Sequence, residues 1–278
     1  MFFIPDSFLD EVLSEDIPYG DLTVKLLGIE SRRGQVRCYP KADGVVSGID
    51  PAARIFRRAG LEAQVLHADG DRVAKGEPVI VARGSAGAIH AVYKTAQNIL
   101  EYCSGISGRT RAMVDAAQAE NPRCQVALTR KHFPGTKLLS LYAGLAGGAV
   151  VHRMGLSESV LVFDQHRVFR PDFLDWLQAV KARDPERKIA VEASSPEEAL
   201  SFALNGADIV QCERFTPEAL QAFIGEARAK RPGLLVSAAG GVKAENAALY
   251  AKAGADFLVT TWPYFGRPFD IKMEITAV

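Results

Sequence analysis

Six short polar groups in this chain each stand directly after an apolar run: Thr129-Arg130-Lys131-His132, His152-Arg153, Asp164-Gln165-His166, Glu192, Glu213-Arg214 and Gly240-Gly241. Brought to one rim, they would make a cationic floor opposite two carboxylates. Arginine and lysine bind anions as a bidentate fork and a point charge respectively. Gly240-Gly241, ahead of a helix starting near Lys243, would turn backbone N–H groups and a helix dipole toward a phosphate. Singly, each group has a duller reading. An Arg-Lys pair is usually solvated surface, a lone histidine a structural hydrogen-bonder, and a strand-end carboxylate a helix cap. Their recurrence in successive loops of one scaffold is what marks a site.

The elements that must position them are legible from about Gln125 onward. Short apolar runs (Gln125 to Thr129, Val160 to Phe163, Ile189 to Glu192, Asp208 to Cys212, Leu234 to Ser237, Phe257 to Thr260) alternate with amphipathic stretches. The runs read as strands buried on both faces, and repeated βα units imply a parallel sheet. Ser195-Pro196 and Thr216-Pro217 each place an N-cap before a proline at the first helical position. Asn205-Gly206-Ala207-Asp208 and Ala253-Gly254-Ala255-Asp256 read as helix-to-strand turns of a barrel, whose strand ends carry the chemistry.

The first hundred residues read as a separate α+β domain. Gly34 to Val46 is strand material, Pro51 to Ala59 a helix, and Asp69 to Ile80 a turn-rich surface hairpin. A long helix over roughly His90 to Cys103 would lead through Ser104-Gly105-Ile106-Ser107-Gly108 into the barrel, with the boundary near Gly108.

Composition excludes several functions. With 33 basic and 33 acidic side chains among 278 residues, the net charge is zero, so no global field draws the chain to nucleic acid or an anionic membrane. No apolar run approaches the ~20 residues a membrane span needs. The opening Met1-Phe2-Phe3-Ile4, followed at once by Pro5-Asp6, lacks the charged start and long apolar core of a signal peptide, and a cytoplasmic location is expected. Cys38, Cys103, Cys124 and Cys212 are scattered without a CxxC pair, against zinc and a disulfide framework.

Several ordered motifs together resemble one family, the type II phosphoribosyltransferases typified by quinolinate phosphoribosyltransferase. They are Glu15-Asp16 with Gly20-Asp21-Leu22-Thr23, Asn98 with Ser104-Gly105-Ile106, Thr129-Arg130-Lys131 with Pro134-Gly135, Gly147-Gly148, His152-Arg153 with Gly155-Leu156, and Ala239-Gly240-Gly241-Val242. The resemblance runs nearly end to end. It implies an N-terminal α/β sandwich domain, residues 1 to about 108 joined by the tail 268–278, and a TIM-like α/β barrel over 109–267. It further implies that Arg130, Lys131, His152 and Arg153 hold the anionic acceptor and pyrophosphate. Glu192 and Glu213 would lie near the ribose and an Mg²⁺ ion, and Gly240 and Gly241 would cradle the 5′-phosphate. Lys131, Glu192 and Glu213 are the implied catalytic set. Implied partners are phosphoribosyl pyrophosphate or a nucleotide, a small-molecule acceptor, and a second copy of the chain.

The departures from that pattern are informative. Phe163 stands where the family has lysine, and Lys94 where it presents an arginine to its dimer partner. Cys212-Glu213-Arg214 replaces Leu-Asp-Asn, Ser237-Ala238-Ala239 replaces Glu-Ala-Ser, and Thr261-Trp262-Pro263-Tyr264-Phe265 replaces Gly-Ala-Leu-Thr-His. This pattern resembles the family's ModD branch, associated with molybdenum transport, and implies phosphoribosyl transfer with an altered, aromatic acceptor. The alternatives are a quinolinate enzyme of NAD biosynthesis that tolerates Phe163, and a non-catalytic ligand-binding protein of molybdate homeostasis. The joint presence of Arg130, Lys131, His152 and Glu192 speaks against the last.

Overall fold

A computed structural model describes residues 3–180 and 183–278, so Met1 and Phe2 of the opening segment lie outside it. In chain order the first elements are α1 (Asp6–Asp16), α2 (Leu22–Leu27), β1 (Arg33–Pro40), β2 (Gly44–Val45), α3 (Ile49–Arg58), β3 (Glu62–Val65), β4 (Arg72–Val73), β5 (Ile80–Ser85) and α4 (Ala86–Glu120). They are followed by β6 (Gln125–Leu128), α5 (Lys137–Ala146), β7 (Val150–Val151), β8 (Val160–Val162), α6 (Asp164–Arg167), α7 (Phe173–Ala179), β9 (Ile189–Ala193), α8 (Pro196–Leu204), β10 (Ile209–Glu213), α9 (Pro217–Lys230), β11 (Leu235–Ala239), α10 (Ala244–Lys252), β12 (Phe257–Thr260) and β13 (Ile271–Ala277).

These elements form two compact units. The first comprises Met1–Arg109, Phe133–Gly148 and Tyr264–Val278. Its antiparallel sheet has the order β13-β1-β5-β3. The buried side of β1 alternates with exposed positions, Val36 and Cys38 facing a core that also holds Ile55, Phe56 and Ile80. Helix α3 lays Ala52, Ile55 and Phe56 on this core. Its first turn is capped from a distance, since the Asp69 carboxylate accepts from Ile49 N at 3.0 Å and Asp50 N at 3.3 Å. Tyr142 of α5 donates its hydroxyl to the same carboxylate. That contact, with the Ser107 hydroxyl donating to Ala143 O at 2.8 Å, ties α5 into this unit.

Two local expectations are corrected here. The Asp69 to Ile80 stretch is no hairpin, because β4 pairs with β2 while β5 pairs with β1 and β3. Nor does Ser104 to Gly108 break the long helix. Helix α4 runs straight through it to Glu120, because the small residues serve packing. Ser104 Oγ accepts from Ser47 N at 2.9 Å and donates to Ser47 O at 3.2 Å. A Cβ added to Gly105 would come within 2.9 Å of Arg267 O.

The second unit comprises Thr110–His132 and Ala149–Pro263. Its seven strands form one parallel sheet in the order β7-β6-β12-β11-β10-β9-β8, curled as a half-barrel of the TIM-like type expected. No pairing joins β7 to β8 among the described residues, so the sheet stays open there. The two Ala-Asp turns work alike. Asp208 accepts from Ile189 N at 2.7 Å and lies 3.7 Å from Arg231. Asp256 accepts from Val236 N at 2.7 Å and from Arg228 at 2.6 Å. Each aspartate pins an amide at the start of a neighbouring strand, the first of β9 and the second of β11, and so fixes register. Ser195 and Thr216 cap α8 and α9 as their sequences predict, accepting from Glu198 N and Ala219 N. All four cysteines are free and buried. No helix among the described residues is long and apolar enough to cross a membrane.

Candidate active site

At the C-terminal ends of the half-barrel strands lies a cavity of about 610 Å³ within the second unit. Its walls include Arg130 and Lys131 after β6, His152 and Arg153 after β7, and Phe163 after β8. Glu192 on β9, Glu213 and Arg214 at the end of β10, and Gly240 and Gly241 after β11 complete the ring. Nine of the ten residues to which the family resemblance assigns a role therefore line one space, while His132, Asp164, Gln165 and His166 of the six polar groups are not among its lining residues. The tenth, Lys94, does not line it either. It sits on α4 in the first unit, its ammonium donating to Gln97 at 2.7 Å and lying 5.3 Å from the Tyr93 ring centre.

Register explains the convergence. Glu192 pairs with Gln211, and Gln211 with Ser237, so these three stand in one row across β9, β10 and β11. Glu213 pairs with Ala239 one side-chain layer further toward the strand ends. Ala127, Val259 and Ala239 of β6, β12 and β11 pack together, and of these Val259 and Ala239 line the cavity.

The loop after β11 needs its glycines. Gly240 and Gly241 have φ of 81° and 79°, the left-handed region that side chains other than glycine occupy only with strain. A Cβ at Gly240 would also come within 2.6 Å of Glu213 Oε1. Arg214 is the one non-glycine residue with positive φ among the described residues, at 57°. Its amide donates to Ala239 O at 2.8 Å, and its Nε lies 3.5 Å from Glu213. Asn246 holds the start of α10, accepting from Lys243 N at 2.8 Å and donating to Gly241 O at 3.1 Å. Thr129 and Thr261 hydroxyls meet at 3.0 Å, joining the ends of β6 and β12.

Electrostatics separates the charged groups. Burial, reinforced by the Arg153 charge, pushes His152 down to about 4, so its imidazole is neutral at pH 7. Burial also lowers Arg153, with Arg130 adding repulsion. Glu192 is held above the usual carboxylate range chiefly by burial, although its hydrogen bond from Gln211 acts the other way. Phe163 has company on two sides. The Arg153 guanidinium lies 5.5 Å from its ring centre and the His166 ring stacks on it at 5.7 Å. Its amide donates to His166 Nδ1 at 3.0 Å.

Sequence reasoning missed Gln211. It is 4 % exposed, lines the cavity, and donates to Glu192 Oε2 at 2.7 Å. The available signal was an amide two residues before Glu213, and so on the same face of β10. Trp262, noted only as a departure from the family pattern, also lines the cavity.

The architecture is shared with solved structures. NadC from Streptococcus pyogenes superposes with a TM-score of 0.89 at 24% identity, covering 98% of this chain and 96% of that one. The nicotinate-nucleotide pyrophosphorylase of Ehrlichia chaffeensis gives 0.91 at 20% identity, covering 99% and 100%. Together they define the fold as that of this class of phosphoribosyltransferase. The chain belongs to the quinolinate phosphoribosyl transferase family, whose N-terminal domain matches residues 21–104 and whose C-terminal domain matches residues 106–274. Within it, the chain is 40% identical to ModD of Rhodobacter capsulatus over 92% of its own length and all of that protein. It is 37% identical to ModD of Pasteurella multocida, over 99% of both chains. Identity to the carboxylating nicotinate-nucleotide pyrophosphorylase of Mycobacterium leprae is lower, 30% over 95% and 94%.

Proposed function

We propose that this ModD-like phosphoribosyltransferase moves a phosphoribosyl group between phosphoribosyl pyrophosphate and an aromatic ring other than quinolinate. The observation that carries this is one cavity holding Arg130, Lys131 and Arg153 together with Glu192, Glu213 and the Gly240-Gly241 loop. The loop amides and the start of α10 receive the 5′-phosphate. Lys131 and Arg130 face the pyrophosphate, and Arg153 with the Phe163 ring faces the acceptor. As the bond from C1′ to pyrophosphate breaks, its electron pair leaves with pyrophosphate and a ring-nitrogen lone pair forms the new bond to C1′. Glu192 and Glu213 stabilise the positive charge that builds on the ribose between those events, while Lys131 stabilises the departing anion.

The carboxylates also suit a divalent cation such as Mg²⁺. Glu213 and Asp164 crowd Glu192 with like charge, which a cation relieves. Among the described residues no cluster of three ligating side chains exists, so Glu192 and Glu213 would share the ion with substrate oxygens, as Mg²⁺ sites commonly do. Such an ion supplies charge neutralisation to the leaving pyrophosphate. A homodimer fits the first unit's exposed apolar side chains Tyr19, Leu22, Leu26 and Leu27, and sedimentation of the purified protein tests it.

The test is pyrophosphate release from phosphoribosyl pyrophosphate against a panel of aromatic mono- and dicarboxylates. Turnover with a ring other than quinolinate is expected. Lys131→Ala should keep its fold and lose ~100-fold or more in rate, the scale of a lost transition-state charge contact. Efficient quinolinate turnover by the wild type would replace this reading with the biosynthetic one. No release with any acceptor would reject both.

A further inference from the structure

Gln211 occupies a position where packing alone would call for an apolar side chain. Its neighbours along β10, Val210 and Cys212, are fully buried, and Gln211 itself is 4 % exposed. Its Nε2 donates to Glu192 Oε2 at 2.7 Å across adjacent strands. An ionised carboxylate only accepts, so this bond fixes which way the amide points, with nitrogen toward Glu192 and oxygen away. The amide oxygen then has no hydrogen-bond partner among the described residues, and neither has Ser237 Oγ, the next member of the row. Burying an amide with one end unpaired carries a cost in stability that a methionine would avoid.

We infer that Gln211 is a positioning residue: its amide nitrogen clamps the Glu192 carboxylate toward the reaction centre. The inference rests on the phosphoribosyl-transfer reading of this cavity. Glu192 needs such a clamp because charged groups of both signs surround it. Glu213 and Arg214 face the cavity from β10, and Asp164 follows β8. Arg130, Lys131, His152 and Arg153 reach in from the ends of β6 and β7, and Lys243 from the start of α10. Burial and the two acidic neighbours favour the protonated form, while the Gln211 hydrogen bond and Lys131 favour the ionised one. The bond to Gln211 orients the carboxylate.

Gln211→Met keeps the volume and removes the donor, so the variant should melt no lower than wild type. Its kcat should fall about tenfold or more, the factor for losing a hydrogen bond to a charged group. KM for phosphoribosyl pyrophosphate should stay within about twofold, because the clamp acts through Glu192. A second readout needs no turnover: the position of the Glu192 carboxylate in a crystal structure of Gln211→Met. Without the donor the carboxylate should leave the place that the 2.7 Å hydrogen bond gives it. A carboxylate in its wild-type position overturns the inference whatever the rates do. If no acceptor supports turnover yet the carboxylate has moved, the clamp stands and the proposed reaction falls.

Discussion

Phe163 lines the cavity, and on the proposed reading it decides which acceptor fits. A lysine there would pair with a second substrate carboxylate, a charged hydrogen bond worth about 1.5 to 3 kcal/mol. The ring instead receives the Arg153 guanidinium on its face at 5.5 Å, and it leaves an unpaired carboxylate beside apolar surface at a desolvation cost. Phe163→Lys should therefore raise kcat/KM for quinolinate relative to a monocarboxylate. The new ammonium would face Arg153, so the gain should lie near the lower end of the range, about tenfold. An unchanged ratio between the two substrates would remove Phe163 from the acceptor site. His152 makes a second prediction, about stability. Its folded value near 4 lies below the ordinary histidine range, so on acidification the unfolded chain takes up the proton first. Stability is therefore lost as pH falls from about 6.5 toward 4. Urea midpoints measured across that window should fall more steeply in wild type than in His152→Gln. Parallel slopes would show that another group is responsible.

At the scale of elements, Ser195 and Thr216 each satisfy one amide at the start of a helix of the half-barrel. Replacing either by alanine should cost about 1 kcal/mol in chemical denaturation, and both together about 2, because the caps are on different helices. These caps were readable because capping chemistry is local: a hydroxyl, a proline and an acidic first turn within four residues. The strands Gln125–Leu128 and Phe257–Thr260 were readable for a similar reason, as apolar runs bounded by polar residues. What escaped depends on distant partners. The turn residues near Asp69 announce a reversal of the chain, but they do not say that β4 pairs with β2 and β5 with β1. Ser104 and Gly105 are poor helix formers, and their sequence reads as a break. Contacts with Ser47 and with the backbone of Arg267, far away in sequence, override that preference. The site followed the same division. Polar residues at strand ends stood out, whereas Gln211 was masked by the apolar run containing it, since only its bond to Glu192 gives it meaning.

For the whole molecule, ligand binding should appear as stability. Phosphoribosyl pyrophosphate held at about 100 times its dissociation constant should add about 2.7 kcal/mol through linkage. For a chain of this size that corresponds to a rise in melting temperature of roughly 5 to 10 °C. A calorimetric scan with no shift, together with no heat on titration, would argue that the cavity does not take this ligand. The half-barrel carries another consequence, for the fate of the chain at high concentration. A closed barrel has no free edge, but this sheet ends at β7 and β8, whose outer backbone groups could pair with a strand from another molecule. The edges are two and three residues long, Val150–Val151 and Val160–Val162, too short to template such pairing. Their brevity guards an open sheet against edge-to-edge aggregation, so substitutions that extend either strand with β-branched residues should lower solubility before they change the fold.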